Sequence, residues 1–207
     1  VPEFFSTQVA EASRFYLGTH SYGRPLTVVC GGYERCQPGY RIDRADFPYH
    51  SIEFVARGGG SVSLEGADHP LVAGSVFSYG PGVPHVITTD AANPLVKYFV
   101  DFTGPEAARM LQEYGPAWGR VVQVTSPEAV LRIFDDLVRT GATDSRYASQ
   151  LCTAIVQQLI LKIAETAVDR QVHTTAAFAT YQACREFIRS NYLTLRGLDE
   201  IAEACGL

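Results

Sequence analysis

The sequence predicts an α+β chain, an antiparallel β-barrel or jelly roll followed by helices. Three observations predict it. Between residues 24 and 103, short β-rich runs recur between Gly/Pro turns at near-regular spacing, the pattern of seven or eight strands in a small barrel. After Gly104 the apolar period becomes that of helices. And the stretch Gly74–His85 reads as strand, corner, strand. Ser75, Phe77 and Tyr79 alternate with Val76 and Ser78, Gly80-Pro81-Gly82 forces a turn, and His85 heads the run Val86-Ile87-Thr88-Thr89.

In chain order, the first twenty residues are mixed. Phe4, Phe5, Phe15, Tyr16 and Leu17 are apolar, and Gln8–Arg14 fits a helical turn or a short strand, so this region reads as an N-terminal arm or an edge element of the barrel. Leu26–Glu34 is a strand interrupted by Gly31-Gly32, which suggests a bulge or tight bend. Gln37–Tyr40 is a turn, Phe47–Arg57 is a long β run, and Gly58-Gly59-Gly60 closes it as a hairpin. Ser61–Leu64 returns, Glu65–Asp68 turns, and Leu95–Phe102 is a further strand. Pro105–Tyr114 is a helix with Pro at its first position and Gly115 as its stop. Val121–Val124 is a short strand. Ser126-Pro127-Glu128 opens a helix ending near Gly141. Asp144 or Ser145 caps a longer helix to about Val168, apolar at Tyr147, Leu151, Ile155, Leu159 and Ile163, with Ala148, Cys152, Val156 and Ile160 widening the stripe. Residues 170–177 are a linker. A helix over Ala179–Tyr192 and a short one from Leu198 to Gly206 finish the chain.

Composition narrows the class. With 207 residues, 46% of them hydrophobic, the chain has room for one core of ordinary size and a small second module. No run approaches the roughly 18 apolar residues of a membrane span, and the start lacks the pattern of a secretory leader. The five cysteines are odd in number and scattered without a Cys-x-x-Cys, which argues against a disulfide framework or structural zinc and for a cytoplasmic location. The net charge of −5 does not advertise nucleic-acid binding.

Two sets of residues carry a resemblance. Pro81-Gly82-Val83-Pro84-His85 resembles the end of the second cupin motif. Ile188, Tyr192 and the spacing Leu198-x-x-Ile201-Ala202-x-x-x-Gly206-Leu207 resemble the opening of an AraC-family DNA-binding domain. Arg44–Pro48, Phe54–Gly60, Leu71–Gly74, Pro81–His85 and Val100–Gly104 follow the pattern of that family's cupin-like sensor, in order. The resemblance implies a ligand-sensing and dimerisation part of an AraC-type DNA-binding transcription regulator. It divides the chain into a barrel with arm (1–104), a helical dimerisation region (105–169), a linker (170–177) and a truncated helix-turn-helix start (178–207). The helix that would read the major groove is not in the sequence, so DNA is expected as a partner only of the full-length protein. Residues 170–207 hold four Arg and four acids, net zero.

No Gly-x-Ser-x-Gly, P-loop or Gly-x-Gly-x-x-Gly is present. A metal-dependent cupin enzyme, the alternative reading, needs a His-x-His pair before its Glu. Asp46-Phe47-Pro48-Tyr49 stands where that pair belongs, His50 points to the opposite strand face from Glu53, and His20 and His69 fall in turns. The expectation is therefore no metal, no cofactor and no enzyme.

A sensor needs polar groups converging on an apolar cavity. Leu95, Lys97, Phe99 and Asp101 share one strand face, and His85 and Ile87 another. The resemblance implies that Lys97 and Phe99 line the effector cavity and that Arg44 contacts the ligand. Arg44, His85, Ile87, Lys97 and Phe99 are the candidate site for a small polar effector, a sugar or small acid. Arg44 in a surface ion pair with Asp43 or Asp46, and Lys97 as a solvated strand residue, stay open as alternatives, as does a pure dimerisation module. Homodimerisation is expected through the long helix, with Leu151, Ile155 and Leu159 toward the barrel and Cys152, Gln158 and Lys162 toward a twin helix. The candidate contact set is Cys152, Ile155, Gln158, Leu159 and Lys162.

Overall fold

A computed structural model describes residues 5–18, 24–116, 119–168 and 176–207. The expectations for Phe4, His20 and most of the linker lie outside those residues. Two compact units divide the chain, Val1–Ala167 and Val168–Leu207.

In the first unit, period-2 runs become strands β1 (Val9–Tyr16), β2 (Thr27–Cys36), β3 (Arg41–Arg44), β4 (His50–Arg57), β5 (Gly60–Leu64), β6 (Ala67–Leu71), β7 (Ser75–Tyr79), β8 (His85–Thr89), β9 (Val96–Thr103), β10 (Val121–Val124) and β11 (Ala167–Val168). The helices are α1 (Pro105–Glu113), α2 (Pro127–Gly141) and α3 (Ala148–Thr166). One sheet has the order β1-β2-β9-β4-β7-β10-β11, the other β3-β8-β5-β6. The ambiguous N-terminal arm is strand β1, antiparallel to β2.

Three local expectations are corrected. Gly58–Gly60 is not a hairpin: β4 pairs with β7 and β9, whereas β5 pairs with β6 and β8, so the glycines carry the chain from one sheet to the other. Gly58 has φ +80, and a Cβ there would stand 2.1 Å from the Pro94 carbonyl oxygen. Only glycine fits that crossing. The β2 irregularity lies between Val28 and Cys30, not at Gly31-Gly32. That pair stays in register, and its lack of side chains admits the Phe15 ring and the Ser13 carbonyl. The long helix begins at Ala148 with Tyr147 as N-cap; Ser145 accepts the Tyr147 and Ala148 amides just before it.

The central strands β2, β9 and β4 of the larger sheet are buried on both faces, and two large apolar clusters result, with a small third one of Val29, Cys30 and Phe99. Between the sheets, Tyr40, Phe47, Val55, Val62, Leu64, Phe77, Tyr79, Ile87 and Leu95 fill the barrel. On the other face, Ile52, Phe54, Val76, Val100 and Phe102 pack against Leu111 of α1, Phe134 and Leu137 of α2, and Val156, Ile160 and Ile163 of α3. Strand β9 shows the division: Lys97, Phe99 and Asp101 face the barrel, Tyr98, Val100 and Phe102 the helices. In the second unit, α4 (Ala176–Asn191) pairs with α5 (Leu198–Cys205), which ends at Gly206 in the left-handed region.

The helix packing revises the dimer expectation. Cys152 and Leu159 are fully buried within the chain, Cys152 lying under the Leu137 carbonyl, and so are removed from any twin helix. Leu151, expected to be inward, is half exposed, as is Leu161. The helix is apolar nearly all round, and its phase is set by α2 rather than by its own stripe.

Gly58→Ala should cost about 2 kcal/mol or more, through positive φ and the Pro94 contact. Gly39→Ala, which meets nothing within 4 Å, should change stability by less than about 0.5 kcal/mol. Urea denaturation of both variants checks the contrast, and equal losses would refute the crossing argument.

Candidate functional site

The barrel interior is crossed by a row of alternating charges, one residue from each of four neighbouring strands. Arg14 on β1 reaches Glu34 on β2 (Nη2–Oε1 2.6 Å), Lys97 on β9 bridges Glu34 and Glu53 (3.0 and 2.9 Å), and Tyr79 on β7 donates to Glu53 on β4 (2.7 Å). All but Arg14 are nearly sealed from solvent. Buried charges persist only when paired and hydrogen-bonded, and here two cations meet two carboxylates. Burial alone would strip the Lys97 ammonium of its proton, but Glu34 and Glu53 hold it, leaving its pKa well above the ordinary lysine value. Burial pushes Glu34 upward, yet Lys97 and Arg14 overcome it and hold its carboxyl below the usual range.

Beside this row lies a cavity of about 30 Å³, lined by Phe5, Ser6, Glu34, Tyr40, Ile42, Arg44, Glu53, Tyr79, Ile87, Lys97, Phe99 and Asp101. Phe5 stands edge-on to Phe99, with ring centres 5.9 Å apart. Arg44 lies over the Phe47 ring at 4.8 Å. Asp101 accepts a hydrogen bond from the Cys30 thiol (3.1 Å), and burial raises its carboxyl pKa to about 6 against the pull of Cys30 and Ser51.

Of the candidate residues, Arg44, Ile87, Lys97 and Phe99 meet at this cavity. Lys97 is not a solvated strand residue, being 3% exposed. Asp43 pairs with Arg41 rather than Arg44, and Asp46 instead clasps the corner by accepting the amides of Phe47 and Gly82. His85 is brought close but does not line the cavity. Its Nδ1 donates to the Val83 carbonyl (3.0 Å), and its ring stacks on Tyr79 at 3.8 Å. Burial lowers its pKa, so it is a neutral support beneath the wall. His50 faces away from the barrel, against Phe102. Among the described residues no three His, Cys, Asp or Glu side chains are grouped to hold a metal ion, and no helix is long and apolar enough to cross a membrane.

Residues 29–160 match the AraC-like ligand binding domain. The chain belongs to that family. Several solved structures align with part of the chain. The cupin 2 conserved barrel domain protein of Salinispora arenicola aligns at 17% identity over 49% of this chain and 82% of its own, with a TM-score of 0.35. YhaK of Escherichia coli aligns at 14% identity over 47% and 46%, with a TM-score of 0.40. A predicted oxalate decarboxylase of Thermotoga maritima aligns at 20% identity over 36% and 65%, with a TM-score of 0.32. No curated relative matches the chain at a significant level.

For this AraC-like ligand binding domain, sequence reasoning missed Glu34, Tyr40 and Tyr79 as wall residues, and weighed Glu53 only as a metal ligand. The available signal was the excess of acids on inward strand positions around a lone inward lysine.

Lys97→Met would leave Glu34 and Glu53 buried without their shared cation, so it should cost about 3–5 kcal/mol in urea denaturation. A loss under about 1 kcal/mol would contradict the charge row. For Asp101 the sign follows from its raised pKa. The folded state holds the proton that the unfolded state releases, so this group's contribution falls as pH rises from about 4 to about 6 and is level above. Asp101→Asn should therefore gain about 1–3 kcal/mol relative to wild type between pH 4 and pH 7. A pH-independent difference would contradict it.

Proposed function

We propose that the barrel senses a small polar effector on behalf of a DNA-binding transcription regulator. The observation that carries the reading is the small, partly open cavity beside a neutralised charge row, in a chain whose family is that of AraC-like ligand binding domains. An effector there would touch strands of both sheets. Strand β9 supports a route outward: Phe99 and Asp101 face the cavity, while the neighbouring Tyr98 hydroxyl donates to Asp135 of α2 (2.7 Å). A shift of β9 on binding would reach the helices through that contact and the packed cluster behind it.

Sensing is favoured over catalysis by how the polar groups are spent. Glu53 is taken by Lys97 and Tyr79, and His85, held at Nδ1 by a backbone carbonyl, is not part of the cavity wall. In this reading α4 and α5 begin the DNA-binding part. Leu193, Leu198 and Leu207 are largely exposed, and Gly206 supplies the sharp turn after α5. The dimer surface moves to the exposed stripe of α3, Leu151, Ala154, Gln158 and Leu161, at the three-and-four spacing of a helix pair. A specific, stable interface there would bury roughly 1,200–2,000 Å².

Thermal-shift screening of sugars, small acids and amines tests the sensor. A hit should be lost in Arg44→Ala and Phe99→Ala and kept in Arg41→Ala, a solvent-facing control. A hit indifferent to both pocket changes would move the site elsewhere. Sedimentation tests the dimer: Leu151→Asp with Leu161→Asp should give a folded monomer. A wild-type monomer at high micromolar concentration would refute the interface.

A further inference from the structure

We infer that the effector carries a protonated amine, which docks on the carboxylate of Asp101; this rests on the sensor reading above and adds the chemical class. The charges around the cavity decide it. Glu34 and Glu53 are neutralised within the protein by Arg14 and Lys97. Asp101, 3% exposed and also lining the cavity, makes no ion pair with an arginine or lysine among the described residues; Arg44 on the cavity wall favours its ionised form but does not offset its burial. Its hydrogen-bonded support is the Cys30 thiol on β2, and Ser51 on β4 stands opposite it in the sheet. A buried carboxylate without a cation is costly, and an ammonium group removes that cost. An anion would add a second charge of the same sign against it.

Lys97 does not stand in the way, because Glu34 and Glu53 already hold it. Asp101 lies four residues further along β9 on the same face, about 13 Å along the backbone at strand rise, with Phe99 between the two positions. The cavity therefore has two unlike ends, a saturated one at Lys97 and a carboxylate end at Asp101. Phe5, Tyr79 and Phe99 supply aromatic walls of the kind that favour alkylammonium groups. The free volume of about 30 Å³ holds roughly two waters, one of which an ammonium head would replace.

Other groups near Asp101 bear on its titration: Arg44 on β3 favours the ionised form, Glu53 on β4 disfavours it, and Cys30 on β2 hydrogen-bonds it. With the carboxyl pKa raised to about 6 by burial, ionisation is about a tenth complete at pH 5 and nine-tenths at pH 7. Amine affinity should therefore rise about ninefold over that interval.

The test uses three probes of one size and unlike charge, n-propylammonium, n-propanol and propionate, at constant ionic strength, read by thermal shift. The wild type should be stabilised most by n-propylammonium, more at pH 7 than at pH 5, and Asp101→Asn should reduce the amine's effect to that of the alcohol. Amide chemical-shift changes in the wild type should centre on Cys30, Ser51 and Asp101, a readout that does not depend on the variant folding. If propanol or propionate stabilises as well as the amine, or Asp101→Asn keeps the amine's effect, the amine assignment is overturned while the sensor reading stands. If none of the three moves the wild type, the assignment also falls, and the sensor reading is then decided by the broader screen with Arg44→Ala and Phe99→Ala.

Discussion

The alternation of charge across four adjacent strands is the constraint on which the barrel depends. Arg14, Glu34, Lys97 and Glu53 come from four strands, with β9 of Lys97 distant in sequence from the other three, and each charge neutralises the next. The row can exist only if the sheet order runs β1-β2-β9-β4 and if each register brings its residue to the same level. It therefore favours one strand pairing over slipped ones, because a one-residue slip would turn a charge into the apolar layer beneath the helices. Neutralisation is also what makes a polar cavity possible at the centre of a small barrel. The interior keeps hydrogen-bonding groups at its wall without an unpaired charge at the Lys97 end.

Around that row the fold gives one sheet two jobs. Its inner face lines the cavity, and its outer face is the floor for α1, α2 and α3. Alternation along β9 ties the two together, since neighbouring residues of one strand touch the cavity wall and the helix layer. The crossings between sheets are held by local devices, namely the left-handed glycine at Gly58 and the Asp46 carboxylate on the Gly82 amide.

Much of this was legible in the sequence. Period-2 alternation placed Lys97, Phe99 and Asp101 on one face, and the Gly74–His85 corner placed a barrel turn. What was not legible depended on register between distant strands. Glu34 meets Lys97 because of an irregularity between Val28 and Cys30 and because β9 inserts between β2 and β4, which no local pattern states. Arg14 was hidden in a segment whose helix and strand readings were balanced. Gly58–Gly60 looked like a hairpin because three glycines suit a tight turn as well as a sheet crossing; the choice lies in the partner strands. The facing of α3 escaped for a similar reason: with Leu, Ile, Val, Ala and Cys on nearly every side, only α2 determines that Cys152 and Leu159 go inward and Leu151 outward.

The central claim is that the space beside the charge row is where the effector binds. The most direct measurement is a crystal structure of the protein purified quickly and without dialysis, so that a bound small molecule is retained. The account predicts density for it between Phe99, Arg44 and Asp101, with the Arg14–Glu34–Lys97–Glu53 pairings intact. A molecule bound instead outside the barrel, with only water inside it, would contradict it.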